Sequence, residues 1–151
     1  MEAAPILICY DGSDEAKRAI TAAASLLKDR HAIVLNVAPF VTVAESFALT
    51  GPGPDVYEDL NRESALEQAR AGTELALEAG LTAEPHADLG SPTWDAIVAV
   101  ADEIDAAAIV IGSRGFTAAR ELLHGSVSHE VAEHAGRPVV VVPPPHPPAK
   151  H

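Results

Sequence analysis

Three glycines, three serines and two arginines fall within GSRGFTAARELLHGSVS, residues 112–128. The glycines stand at 112, 115 and 125, the serines at 113, 126 and 128, and the arginines at 114 and 120. Backbone N–H groups reach an anion's oxygens only where no Cβ intervenes and positive φ is accessible, and glycine supplies both. Serine hydroxyls add donors, and Arg114 or Arg120 could offset negative charge. Gly125 and Ser126 also open a helical stretch, whose free N–H groups and positive dipole end favour a phosphate. This is the composition of a phosphate cradle.

The charge of the remaining chain sharpens that reading. The net charge is −12, yet 19 of the 22 acids lie at or before Asp105, and the segment from Ala106 to Arg120 carries none. So acidic a chain argues against nucleic acid or an anionic membrane as partner. No apolar run approaches the ~20 residues that span a bilayer, and the opening MEAAPILICYDGS lacks the basic and apolar regions of a signal peptide. Cys9 is alone, which leaves no disulfide framework and no cysteine metal site. Its neighbours Ile6, Leu7 and Ile8 mark it as a small core residue rather than a reactive thiol. A soluble, cytoplasmic protein is expected.

A loop of this kind must be held at the edge of a scaffold. Continuous apolar runs at 5–10, 31–38, 106–112 and 137–143, with a weaker alternating run at 82–90, suit strands of a parallel sheet covered on both faces. Between them lie stretches of helical spacing. In 14–29, Ala16, Ile20, Ala23 and Leu27 share a face and Asp14 can cap the start. In 56–79, Leu66, Ala69, Thr73 and Leu77 repeat on one side before Gly80. In 93–104, Ile97, Val100, Ala101 and Ile104 fall together after a Ser cap and a first-turn Pro. In the last helix Val127, Val131 and Ala135 do the same. The order β-α-β-α-β-α-β-α-β predicts one α/β domain, a doubly wound five-stranded parallel sheet of order 3-2-1-4-5, over residues 1–143. The long connection 39–56 is either a lid or a mobile surface segment. Residues 144–151, rich in proline, are expected to form an extended, disordered tail.

Ligands of such sheets bind beyond the carboxyl ends of the strands, where the winding reverses. The loop from Gly112 belongs there, as does Asp11, which could hold a ribose hydroxyl or a bridging Mg2+, or simply shape the turn DGSD. Spacing excludes the commoner nucleotide motifs. There is no G-x-G-x-x-G after the first strand and no G-x-x-x-x-G-K-[ST] anywhere. The pattern present is G-x2-G-x9-G-[ST], from Gly112 and Gly115 to Gly125 and Ser126.

That pattern resembles the nucleotide-binding motif of the universal stress protein family. ILICYDGSDEAKRAI, GSPTWDAIVAVADEIDAAAIVIGSRG and LLHGSVSHEVAEHAGRPVVVV resemble its first strand and helix, its third helix and fourth strand, and its final helix and strand. The resemblance implies a Rossmann-like fold of the adenine nucleotide alpha hydrolase kind that binds ATP or another adenine nucleotide with Mg2+. Cys9 to Asp11 would lie along the adenosine and the main chain near Val37 would face the adenine. Gly112, Ser113, Arg114, Gly115, Gly125, Ser126 and Val127 would surround the phosphates. Residues 116–121, FTAARE, replace a stretch that is often richer in glycine. The resemblance also implies a homodimer joined antiparallel through Val139, Val140, Val141 and Val142; the proline tail could instead protect that edge. The function so implied is a stress-response module read by a regulatory protein partner. Alternatives are a slow ATPase or self-phosphorylating protein, and a nucleotide-free dimeric scaffold, in which the glycines only make a turn. No catalytic base is nominated.

His124, His129 and His134, five apart, turn about 140° per step on a helix and do not share a face as metal ligands would. His124 alone, beside Gly125, could touch a phosphate. Trp94 reads as core, and Glu130 and Glu133 as helix surface.

Overall fold

The computed structural model describes residues 3–38, 54–90, 92–113 and 127–145. Within them strands and helices alternate: β1 (Ile6–Cys9), α1 (Asp14–Leu26), β2 (Ala32–Ala38), α2 (Pro54–Glu78), β3 (Ala83–Leu89), α3 (Thr93–Glu103), β4 (Ala108–Gly112), α4 (Val127–His134) and β5 (Val139–Val142). The strands form one parallel sheet in the order β3-β2-β1-β4-β5, as the sequence predicts. Ile8 pairs with Val34 on one side and Val110 on the other, which sets β1 at the centre.

Ile6, Leu7 and Ile8 are all fully buried, so β1 is covered on both faces. Strand alternation divides the core accordingly. Ile6, Ile8, Tyr10, Val34 and Val110 meet Ala16, Ala19, Ile20 and Ala23 of α1 and Ala76 of α2. Leu7, Ile33, Leu35, Ile109 and Ile111 meet Ile97, Val100 and Ala101 of α3 and Val131 of α4. Small residues let the helices sit close. A Cβ on Gly72 would stand 2.6 Å from a ring carbon of Tyr10 and 2.9 Å from Val34 Cγ1, so α2 crosses the sheet where glycine admits the tyrosine.

Several element boundaries differ from the sequence expectation. Ser13, not Asp14, caps α1: its Oγ accepts the Ala16 N–H at 3.1 Å, and Asp14 is the first helical residue. The helix stops at Leu26 rather than at 29, with the Leu27 N–H donating to the Ala23 carbonyl. Pro54 already opens α2, which shortens the 39–56 connection; residues 39–53 lie outside the described residues. The buried side of α2 is Ala65, Ala69, Thr73 and Ala76, while Leu77 is 52% exposed. A rank of small side chains, with Leu75 partly buried beside it, faces the sheet and allows the close approach. The Thr73 hydroxyl is satisfied by donating to the Ala69 carbonyl at 2.7 Å. Pro92 occupies the N-cap position of α3 without a side-chain cap; Ser91 lies outside the described residues, as do residues 146–151 of the tail.

The end of α3 is closed from a distance. Asp105 takes φ +50°, and the Ala106 N–H returns to the Ala101 carbonyl at 2.9 Å. The Arg137 guanidinium, from the turn before β5, donates to the carbonyls of Ala101 at 2.8 Å and Ala106 at 2.9 Å and pairs with Asp102 at 2.5 Å. It thus joins the α3–β4 turn to the α4–β5 turn. Arg137→Met should lower stability by about 1–3 kcal/mol, because two carbonyls lose a charged donor. Asp102→Ala, which removes a 64% exposed partner, should cost under about 1 kcal/mol. Urea denaturation of the two variants measures the difference.

Candidate functional site

The winding reverses at β1. From it the chain crosses to β2 and β3 on one side, then returns to β4 and β5 on the other. The carboxyl ends of β1 and β4 therefore bound the crevice in which such sheets hold ligands. The Tyr10 N–H still bonds the Leu35 carbonyl at 2.8 Å, and Asn36 Nδ2 donates to the Tyr10 carbonyl at 2.8 Å. Beyond Tyr10 the chain leaves the sheet through a tight turn. Gly12 takes φ +86°, a conformation that side-chain-bearing residues rarely adopt. Asp11 Oδ1 accepts the Ser13 N–H at 2.9 Å, so the turn role expected of DGSD is present. Asp11 nevertheless remains exposed, just beyond the carboxyl end of β1.

Asp11 also acts on its neighbours. Burial, and then the Asp11 charge, push the Cys9 thiol up to about 12. The same two causes raise the Tyr10 hydroxyl. Cys9 is thus a protonated packing residue at neutral pH, as its apolar neighbours suggest. With Val37 and Val127 it packs against the apolar cluster on the α3/α4 side of the sheet. These three expected site residues pack on one face of the sheet.

Gly112 turns to the opposite side. A Cβ there would run into the Glu15 carbonyl oxygen and stand 2.6 Å from its carbon, so this glycine admits the first turn of α1. The Ser113 N–H donates to the Val142 carbonyl at 2.9 Å, so its backbone donor is already engaged in the sheet. Arg114, Gly115, Arg120, His124, Gly125 and Ser126 lie outside the described residues. Of the helices that begin at this end of the sheet, α1 and α4 follow the two strands that bound the crevice, β1 and β4, and their first turns differ. That of α1 carries Asp14 and Glu15 beneath the Ser13 cap, whereas that of α4 carries Glu130 alone. The macrodipole of α4, directly after Gly125 and Ser126, is the better host for an anion.

Two further residues reach this region. Gln68, from α2, places its amide over the turn, 3.2 Å from the position of a Cβ on Gly12. On the polar side of a long helix it carried no sequence signal. Asn36 did carry one, as a lone amide within the apolar run of β2. The histidines that are described split as their spacing requires. His129 Nε2 pairs with Glu133 at 3.6 Å and His134 Nε2 with Glu130 at 3.2 Å. Trp94 is half-buried against the α3/α4 cluster, as expected of a core residue, and stacks on the His134 ring.

A model of the family described as the Universal stress protein family matches residues 3–143. The chain is 34% identical over 145 residues to universal stress protein YxiE of Bacillus subtilis, covering 91% of this chain and 97% of that one. It is similar to the universal stress protein of Archaeoglobus fulgidus solved in complex with dAMP, with 27% identity, a TM-score of 0.65, and coverage of 94% and 99%. It is likewise similar to a universal stress protein solved in complex with cAMP, with 27% identity, a TM-score of 0.69, and coverage of 93% and 98%. Among the described residues no helix is long and apolar enough to cross a membrane.

The Cys9 geometry has a pH signature. The thiol stays protonated in the folded chain up to about 12 but ionises near its ordinary value of 9.0 when unfolded. Its contribution is therefore complete below pH 9 and lost as pH rises toward 12. Between about pH 8 and 11 the parent protein should lose more stability than Cys9→Ala. Denaturation at a series of pH values reads the difference.

Proposed function

As the chain belongs to the Universal stress protein family, we propose that it is a regulatory module that binds ATP or another adenine nucleotide and acts as a homodimer. The observation that supports the reading is that β1, followed by Asp11, and β4, ending at Gly112 and followed by Ser113, are neighbours at the reversal of the sheet, with α4 the next described element. The adenine nucleotides in two similar proteins, dAMP and cAMP, support it. In this reading Cys9 to Asp11 lie along the adenosine, the main chain near Val37 faces the adenine, and Asp11 takes a ribose hydroxyl or Mg2+. The hydroxyl of Ser113, the loop from Arg114 and Gly115, and Gly125, Ser126 and Val127 hold the phosphates. A regulatory protein partner would then read the occupied state.

Gly112 is a poor probe of this site, because its missing Cβ serves α1. Gly115 and Gly125 are the informative positions. Calorimetric titration of nucleotide-stripped protein with Mg-ATP should give saturable binding near one per chain, and Gly115→Val and Gly125→Val should abolish it with the fold intact. Ligand at 100 times Kd should stabilise the parent by about 2.7 kcal/mol. Unchanged affinity in both variants would remove the phosphates from this loop.

The dimer reading rests on β5. It is an edge strand of four valines, and Val141 is 39% exposed. An apolar edge with unpaired backbone groups invites a second strand. Val141→Lys should convert a dimer to monomer in sedimentation velocity; a sedimentation coefficient unmoved by this charge would place the interface elsewhere.

A further inference from the structure

The outer surface of α4 holds a group of side chains for which nucleotide binding has no use. Glu130, Glu133 and His134 stand three and four residues apart, a spacing that gathers them on one side of the helix. One ligand atom from each lies within 4.8 Å of the others. We propose that these three residues bind a divalent transition-metal ion of the zinc class. The reading is independent of whether the chain binds a nucleotide.

The geometry favours a metal in three respects. His134 Nε2 is 3.2 Å from Glu130 Oε2. Ligands bound to zinc at about 2.0–2.2 Å in a tetrahedron are separated by roughly 3.4 Å, so this pair already spans close to one edge. Second, the imidazole is held in place. Trp94 of α3 stacks on it with ring centroids 4.4 Å apart and planes 22° from parallel, and Trp94 is itself packed against the α3/α4 core. A plain surface pair between His134 and Glu130 has no need of that support. Third, Glu133 is 61% exposed and can swing inward without disturbing packing. In doing so it would exchange its pairing with His129 for the metal.

The donor set selects the ion. One imidazole and two carboxylates suit zinc and its transition-metal neighbours, whereas Mg2+ and Ca2+ prefer oxygen alone. The two carboxylates balance the dication's charge. Three protein ligands leave the fourth position to water or to a group from elsewhere. The five-residue spacing of the histidines remains irrelevant to this site. It uses His134 with two glutamates, and not His129 or His124.

The test uses Zn2+ alone on the full chain, freed of nucleotide, of tag and of metal. Calorimetry should show one tight Zn2+ per chain, undisplaced by a hundredfold excess of Mg2+. Glu130→Gln and Glu133→Gln, which keep the size of each side chain, should each weaken binding at least about tenfold with an unchanged circular dichroism spectrum. Trp94 is the only tryptophan, so Ni2+ should quench the intrinsic fluorescence of the parent and fail to quench that of His134→Gln. The glutamine variants of His129, His146 and His151 should bind Zn2+ as the parent does. No Zn2+ binding by the parent would overturn the proposal. So would binding that survives both glutamate substitutions, or that is lost instead on substituting His129 or the tail histidines.

Discussion

Ile6, Leu7 and Ile8 of β1 are wholly buried, as are Ile109 and Val110 beside them in β4, so the middle of the sheet is covered on both faces. A parallel strand covered twice requires helices on each side, and right-handed crossovers can supply both only if the chain winds first one way and then the other. Here it runs outward through β2 and β3, then back across β1 to β4 and β5. The reversal leaves β1 and β4 adjacent. The crevice at their carboxyl ends is therefore a consequence of how the core is closed. The turn from Asp11 and the end of β4 at Gly112 lie on that side of the sheet because the hydrophobic layers demand this topology.

Close packing then shapes what the crevice can hold. Gly72 admits the Tyr10 ring, and Gly112 admits the first turn of α1. Asn36 fastens the Tyr10 carbonyl, and Asp11 fastens the Ser13 N–H, so the β1–α1 turn is fixed on two sides. The same carboxylate, together with Asp14 and Glu15, makes that side of the crevice negative. The α4 side begins with valine and serine and meets its first acid at Glu130. By the helix macrodipole and local charge alone, the first turn of α4 is more favourable to an anion than the acidic first turn of α1.

Helices α3 and α4 are coupled by more than shared apolar contacts. Arg137 ties the end of α3 to the turn that follows α4, and Trp94 at the start of α3 stacks on His134 at the end of α4. Both links join chain segments more than thirty residues apart. They make the two helices a single layer over Ile109 and Ile111, and that layer carries both the start of α4 and its outward carboxylates.

The sequence by itself determined the strand runs, their order in the sheet, the buried lines of α1, α3 and α4, and the family motif from Gly112 to Ser126. Each is a matter of period or spacing within one stretch of chain: β-branched runs declare two-sided burial, and a repeat of 3.6 residues declares a helix face. Only the tertiary structure decided which side of α2 meets the sheet, since a small-residue face and a leucine face were both written into it. It alone showed that Gly112 makes room for the Glu15 carbonyl, that Arg137 closes α3, and that Gln68 lies over Gly12. It alone also brought Trp94 against His134, forty residues away. Period and spacing describe a residue's place on its own element; how closely two elements approach is set by the surface each presents to the other.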